Sequence, residues 1–137
     1  MPAVYFADTF WWIALGNPRD GWHARVIAWE AAHPNAQFVT TEEIVAELLT
    51  WFAGTGPAGR AFASAMARDV LSDPSTQVLP QTSADFAAAL TLYEARPDKA
   101  YSLADCRSMN ALRALGISEV LTNDHHFTRE GFTILFP

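Results

Sequence analysis

The sequence is poor in cysteine, in basic residues and in long hydrophobic runs, and each shortage argues against a class of protein. The single cysteine, Cys106, leaves no internal disulfide and is typical of a reducing compartment. No apolar run approaches the roughly 18 residues that a membrane span needs. The start of the chain, MPAVYFADTF, has no basic stretch ahead of its apolar run, unlike a secretion signal. These shortages predict a cytoplasmic protein.

The shortage of basic residues gives the 137-residue chain a formal net charge of −6. Such a chain repels phosphates, so it does not look like a general nucleic-acid binder unless its charges segregate or metal ions intervene. The surplus acid is therefore either spread over solvated faces or concentrated where cations can bind. Half of the residues are apolar, which is ample for a core, and no interior linker is evident. We therefore expect one domain over residues 1–137.

Short apolar runs alternate with helical patterns along almost the whole chain. Runs bounded by turn or cap residues predict strands at 3–7, 37–40, 76–80, 118–122 and 132–136. Apolar residues at helical spacing predict helices at 9–15, 20–32, 42–52, 60–71, 83–95 and 103–115, with a Gly/Pro break at 54–59. Thr41 is a good N-cap, and Gly116 stands where a helix commonly ends. The alternation predicts a parallel sheet covered by helices on both faces.

Four acidic residues fall where an open sheet of this kind binds its ligands, at the carboxyl ends of its strands. Asp8 directly follows the first predicted strand, and Asp124 follows the fourth. Glu47 lies about two turns into the helix after the second strand. Asp105 lies in the first turn of the helix that begins near Leu103.

Each acid also has an ordinary structural explanation. Asp8 could cap a helix, Asp105 could meet a helix dipole, and Asp124 could belong to a turn. Glu47 could be a solvated helix residue. However, Glu47 and Asp105 border apolar stripes, where ordinary solvated acids are uncommon.

Four carboxylates in one cleft would repel one another, and a divalent cation would relieve that repulsion. Oxygen ligands of this kind suit Mg²⁺ or Mn²⁺ better than zinc. Such a cation can activate water and neutralise charge that builds up on a phosphate. A metal between the acids and a substrate would also explain how an acidic chain acts on a phosphodiester.

The pieces of sequence around these acids resemble the PIN-domain ribonucleases, and more narrowly the VapC-type toxins of type II toxin–antitoxin systems. The matching pieces are ADTF, TEEIVAELLT, DKAYSLADCRSMNALRALGI and VLTNDHHFTREGFTILFP, which together span nearly the whole chain. Their order and spacing are more specific than any one of them alone. Asn123 stands where the family usually has a small or apolar residue, but Thr122 and Asp124 keep the spacing of the family's motif.

The resemblance implies a three-layer α/β/α domain with a parallel sheet in the order 3-2-1-4-5. It implies a Mg²⁺- or Mn²⁺-dependent endoribonuclease that hydrolyses RNA, is held inactive by a cognate antitoxin and pairs as a homodimer. By motif position, the catalytic and metal-binding quartet is Asp8, Glu47, Asp105 and Asp124, with Asp8 and Asp105 as principal ligands. Supporting positions are Thr9, Ser102 and Thr122, whose hydroxyls would hold carboxylates or water, and Asp98, a further acid nearby.

The remaining polar candidates are two histidines, a cysteine and the arginines. His125 and His126 are adjacent, so they cannot form the i, i+4 pair of a helical metal site, and contact with RNA phosphate is the favoured role. Cys106 falls in the apolar phase of its helix and is expected to pack. Some arginines are expected to rim the cleft and hold phosphates, among Arg60, Arg68, Arg107, Arg113 and Arg129.

The tryptophans suggest a partner surface. Aromatic residues most often lie in the core, but Trp11 and Trp12 are consecutive, so one is expected to point away from the face that the other buries and both cannot face one core. Trp51 stands at a helix end before the Gly/Pro break and is also expected to be exposed. Exposed aromatic residues often mark interfaces. In the family that the chain resembles, helices near the N-terminus form the groove that receives the antitoxin.

Three other functions are compatible with parts of the pattern. A catalytically silent PIN-like module would only bind a partner, and the intact quartet argues against it. A signalling receiver domain needs an acidic pair after its first strand, but Asp8 has no acidic neighbour. An aspartyl phosphatase needs a D-x-D-x-T motif, which the residues after Asp8 lack.

Overall fold

A computed structural model describes residues 2–137, and a five-stranded parallel sheet forms its centre. The strands are β1 (Val4–Ala7), β2 (Gln37–Thr41), β3 (Thr76–Leu79), β4 (Glu119–Leu121) and β5 (Thr133–Ile134). They lie in the order β3-β2-β1-β4-β5, and all neighbours pair in parallel. The predicted strand order is confirmed, although β4 and β5 are shorter than the apolar runs that predicted them.

Helices connect the strands and complete the predicted α/β/α arrangement. Over residues 2–137 they are α1 (Thr9–Gly16), α2 (His23–Ala32), α3 (Glu42–Trp51), α4 (Gly56–Ser72), α5 (Ser83–Ala95), α6 (Leu103–Leu115) and α7 (His126–Arg129). None of them combines the length and apolarity that crossing a membrane requires.

The helix ends follow from local chemistry. The Thr41 hydroxyl accepts the backbone N–H of Ile44, which confirms Thr41 as the N-cap of α3. Gly116 ends α6 in the left-handed conformation with φ 66°, which favours glycine. The predicted break at 54–59 is wrong in its second half, because α4 already begins at Gly56. Pro57 fits there because the first turn of a helix needs no N–H from it.

Two further differences lie near the site described below. The predicted helix from Asp20 begins only at His23, because the Asp20 carboxylate accepts the backbone N–H of Trp22 at 2.8 Å and makes a turn. The short helix α7 after β4 was not predicted from the sequence.

The expectation that Trp11 or Trp12 points away from the core is wrong. Their exposed fractions are 0% and 5%. Trp11 packs against aromatic rings of α2, β2 and the C-terminal segment, and the Trp12 indole N–H donates to the Thr40 hydroxyl at 3.4 Å. Both side chains are buried because α1 contacts α2 and α3 as well as β1, so it is covered on more than one side.

Candidate active site

The register of the central strands brings Asp8 and Thr122 together. Ala7 of β1 is paired with Leu121 of β4, so the next residue of each strand leaves the sheet at the same edge. The Thr122 hydroxyl donates to Asp8 Oδ2 at 2.9 Å and accepts the backbone N–H of Asp124 at 3.1 Å. One buried hydroxyl therefore fixes the Asp8 carboxylate and the backbone that carries Asp124.

Glu47 reaches this edge from α3. The hydroxyl of Thr9, the first residue of α1, donates to Glu47 Oε1. Thr9 is buried whereas Glu47 is exposed to solvent. The contact thus ties an accessible carboxylate to the helix that begins immediately after Asp8.

Asp105 is held by the start of α6. The backbone N–H of Ser102 donates to Asp105 Oδ2 at 3.0 Å, and the backbone N–H of Asp105 donates to Ser102 Oγ at the same distance. This reciprocal pair is a capping box, which fixes the first turn of the helix. The Ser102 hydroxyl therefore holds Asp105 through its backbone and not through its carboxylate.

The four quartet acids line one open cleft of about 780 Å³. An acid missed from the sequence, Asp20, lines it too, because the turn before α2 frees it from the helix in which the sequence pattern placed it. The other lining residues are mostly apolar or neutral: Thr9, Phe10, Ile13, Trp22, Trp51, Ser102, Thr122 and Asn123. Within residues 2–137, no lysine or arginine is among them. The cleft is therefore strongly acidic.

Burial and mutual repulsion perturb the acids in the cleft. Burial, together with the nearby Asp105 and Glu47 carboxylates, raises the pKa of Asp8 to about 7, although hydrogen bonds from Thr122 and from the Thr9 backbone oppose the rise. Burial, followed by repulsion from Asp124, raises the pKa of Asp105 against the opposing effects of Ser102 and His126. Full ionisation of this cluster is costly unless a cation compensates it.

His126 also belongs to the cluster, whereas the sequence favoured contact with RNA phosphate as the role of the histidines. Its Nδ1 atom lies 3.5 Å from Asp105 Oδ2 and 3.4 Å from Asp124 Oδ1. Its backbone N–H donates to Asp124 Oδ1 at 2.9 Å. An i, i+4 pair of histidines was the only histidine metal site considered from the sequence, so a single histidine beside the acids was missed. A usable signal was present, because an Asp side chain commonly accepts the N–H two residues later and so brings that residue close.

Other expected site residues lie elsewhere. Asp98 is exposed and pairs with Lys99 at 3.0 Å, away from the residues that line the cleft. His125 is exposed and does not line the cleft. None of the five named arginines, all of which lie within residues 2–137, is among the residues that line the cleft. Arg107 binds Glu43 at 3.0 Å and Arg113 binds Glu130 at 2.8 Å, so these two guanidinium groups pair with acids outside the cleft.

The donor set fits a divalent cation. Carboxylates from separate elements converge on one cleft, and oxygen ligands of this type suit Mg²⁺ or Mn²⁺. Asp105, Asp124 and His126 each offer an atom within 4.8 Å of the others. The Nδ1 atom of His126 is buried and has no hydrogen-bond partner. A buried ring nitrogen beside two carboxylates is consistent with a metal-binding role.

Comparison with known proteins supports the fold and the resemblance. No protein-family model and no curated protein matches the sequence. A crystal structure of Mycobacterium tuberculosis VapC20, a toxin that cleaves the sarcin–ricin loop, is 26% identical with a TM-score of 0.82, over 96% of this chain and 97% of that one. The VapBC2 complex of Rickettsia felis, bound to a DNA fragment from its promoter, is similar in fold at 13% identity, with a TM-score of 0.65 and 96% coverage of both chains. The resemblance to PIN-domain proteins of the VapC type is confirmed.

Proposed function

We propose that this PIN-domain chain of the VapC type is a metal-dependent endoribonuclease toxin that a cognate antitoxin holds inactive. The observation that carries the proposal is the convergence of Asp8, Glu47, Asp105 and Asp124 on one cleft at the carboxyl edge of the sheet. The likeness to VapC20, an RNA-cleaving toxin, along nearly the full length of both chains supports RNA as the substrate.

Asp8 and Asp105 are the principal ligands in this proposal. Burial raises the pKa of both Asp8 and Asp105, so their ionised forms are stabilised when a cation offsets their charge. Glu47 and Asp124 complete the site, directly or through bound water. When bound, Mg²⁺ or Mn²⁺ supplies activation of water and neutralisation of charge on the phosphate.

The remaining groups position the ligands. Thr122 orients Asp8 and the backbone of Asp124, while Thr9 orients Glu47. Both hydroxyls donate or accept within the site, so they also limit how the carboxylates can rotate. The cleft offers no basic side chain from residues 2–137 to hold a phosphate, so the substrate's charge must be met by the cation.

An antitoxin is the second partner that we propose. An acidic cleft with apolar walls is complementary to an arginine side chain, whose guanidinium pairs with carboxylates and whose stem packs on apolar surface. Trp51 lines this cleft with 71% of its surface exposed, which makes it a candidate contact for the same partner.

We also propose that the chain is a single nuclease domain over residues 1–137, cytoplasmic and homodimeric. The strands of its one sheet run from Val4 to Ile134, which supports one domain. Exposed apolar side chains at helical spacing on α5, namely Phe86, Leu90 and Tyr93, support association between copies. Sedimentation of the purified chain tests the homodimer.

Cleavage of labelled RNA tests the proposed activity. We would compare an RNA carrying a sarcin–ricin loop with an unstructured RNA, in Mg²⁺, in Mn²⁺ and in EDTA. We expect cleavage by the wild type that EDTA abolishes, and none by Asp105→Asn. Asp98→Asn is the matched control, because it removes an acid that lies outside the cleft. Undiminished cleavage in EDTA, or by Asp105→Asn, would overturn the proposal.

A further inference from the structure

We propose that His126 binds the cation through Nδ1, so that the metal centre is a mixed nitrogen–oxygen site and not the oxygen-only site that the four acids alone would make. The inference rests on the proposed function, since it concerns the same cation. It adds a ligand that lies two residues beyond the last acid of the quartet.

The geometry around the ring nitrogen carries the inference. Nδ1 faces Asp105 Oδ2 at 3.5 Å and Asp124 Oδ1 at 3.4 Å, and the ligand atoms of the three residues lie within 4.8 Å of one another. The nitrogen is buried, yet it makes no hydrogen bond. The nitrogen stands between two carboxylate oxygens, as a ligand of a shared cation would.

The backbone of α7 holds His126 in this position. The N–H of His126 donates to Asp124 Oδ1 at 2.9 Å, which fixes the histidine relative to that acid. The next residue, Phe127, is fully buried and packs against Phe132. These contacts fix the backbone at His126 and so hold the base of its side chain beside Asp105 and Asp124.

Tyr101 packs against the His126 ring and is itself held by a hydrogen-bond network. The Tyr101 ring lies 5.3 Å from the His126 ring, and the Tyr101 hydroxyl donates to Glu130 Oε2 at 2.9 Å. Glu130 in turn accepts hydrogen bonds from Arg96 and Arg113. The packing of Tyr101 against the His126 ring favours the orientation that the ring has here.

A nitrogen ligand changes which cation the site prefers. Mg²⁺ favours oxygen ligands and keeps several waters, whereas imidazole suits transition metals. Loss of even an outer partner of a metal ligand lowers affinity about 10–100-fold. We therefore expect His126→Ala to weaken Mn²⁺ binding at least about tenfold, and to weaken Mg²⁺ binding less.

Pulsed electron paramagnetic resonance of Mn²⁺ bound to the full chain tests the inference directly. We expect a nitrogen coupling in the wild type that changes when the histidines carry ¹⁵N, and that is absent in His126→Ala and in His126→Gln. His125→Ala is the matched control and should keep the coupling, because that neighbour is exposed and does not belong to the group formed by Asp105, Asp124 and His126. The ¹⁵N comparison uses the wild-type chain, so it tests the inference even if a substituted variant fails to fold.

The outcomes separate this inference from the proposed function. Bound Mn²⁺ without a histidine coupling, or a coupling that survives in folded His126→Ala, would overturn the ligand assignment and leave the nuclease proposal in place. Failure of the wild type to bind Mn²⁺ at all, by calorimetry at millimolar metal, would overturn both.

Discussion

The Thr122 hydroxyl donates to Asp8 Oδ2 at 2.9 Å, joining residues that lie 114 positions apart in the chain. The contact exists because β1 and β4 are neighbours in the sheet and leave it in register. It holds the most buried acid of the cleft at the sheet edge, and the same hydroxyl accepts the N–H of Asp124. Thr122 is therefore a positioning residue for two of the four acids.

We predict that Thr122→Val destabilises the chain by about 1–3 kcal/mol, the cost of leaving buried polar groups without their partner. Because the lost hydrogen bond favours the ionised carboxylate, the pKa of Asp8 should also rise above about 7. Urea unfolding and carboxyl NMR titration measure the two effects. Thr122→Ser is the control, since it keeps the hydroxyl. An unchanged Asp8 pKa in the valine variant would argue against the positioning role.

We predict that the metal-free chain loses stability as the pH rises from about 4 to about 7. The folded-state pKa of Asp8 is raised from 3.8 to about 7, so over this window the folded chain holds a proton that the unfolded chain has released. A state that binds more protons is disfavoured as the pH rises. The raised pKa of Asp105 acts in the same direction.

Urea unfolding in EDTA at several pH values measures this slope. Asp8→Asn should flatten it, because the variant has no carboxyl group to ionise at that position. Asp98→Asn should leave it unchanged, since Asp98 is exposed and outside the cleft. The same downward slope in Asp8→Asn as in the wild type would show that Asp8 is not its source.

We predict that Mg²⁺ or Mn²⁺ raises the melting temperature, because the cation binds only the folded cluster. At roughly a hundred times the dissociation constant the gain is about 2.7 kcal/mol. The gain in stability on adding metal should be larger at pH 8 than at pH 6, since the proton on Asp8 competes with the metal. Calorimetric melting measures it, with Asp105→Asn as the variant that loses the shift. No shift with millimolar metal, combined with full activity in EDTA, would rule out a metal site here.

We predict that Trp51→Ala weakens binding of the cognate antitoxin by about 2 kcal/mol or more, as for an interface hot spot. The free variant should keep its stability within about 0.5 kcal/mol, because the side chain is 71% exposed. Titration calorimetry and melting of the free protein measure the two effects. Leu71→Ala is the control, as an exposed apolar residue on α4 that does not line the cleft. Unchanged affinity would remove Trp51 from the interface.

The strand order followed from the family resemblance, whereas the alternation of strands and helices and the four candidate acids followed from short-range signals. Asp8 comes directly after a buried strand and Asp124 comes three residues after the end of another, and parallel strands bring such residues to one edge. Ser102, Asp105 and Gly116 are the start and stop signals of α6, which the sequence predicted to the residue. Local chemistry determines these strand and helix ends, so they can be predicted from the residues around them.

The features that were missed depend on contacts between distant elements. Burial of both Trp11 and Trp12 depends on α1 being covered by other helices, which no periodicity within α1 can show. His126 enters the cluster because Phe127 anchors α7 and because α6 brings Asp105 alongside. Arg113 pairs with Glu130, 17 residues further along the chain, and a contact of this kind also depends on how separate elements pack. A basic residue in a sequence does not reveal which acid it will meet.

The central claim is that the acids at the sheet edge bind a cation on which RNA cleavage depends, and Asp8→Asn tests this claim most directly. The measurement is single-turnover RNA cleavage in Mn²⁺, beside melting of the metal-free variant. We predict that cleavage is abolished while the metal-free melting temperature at pH 8 holds or rises, because Asp8 is ionised at that pH and removing its charge relieves repulsion in the cluster. Full cleavage by the folded variant would contradict the claim.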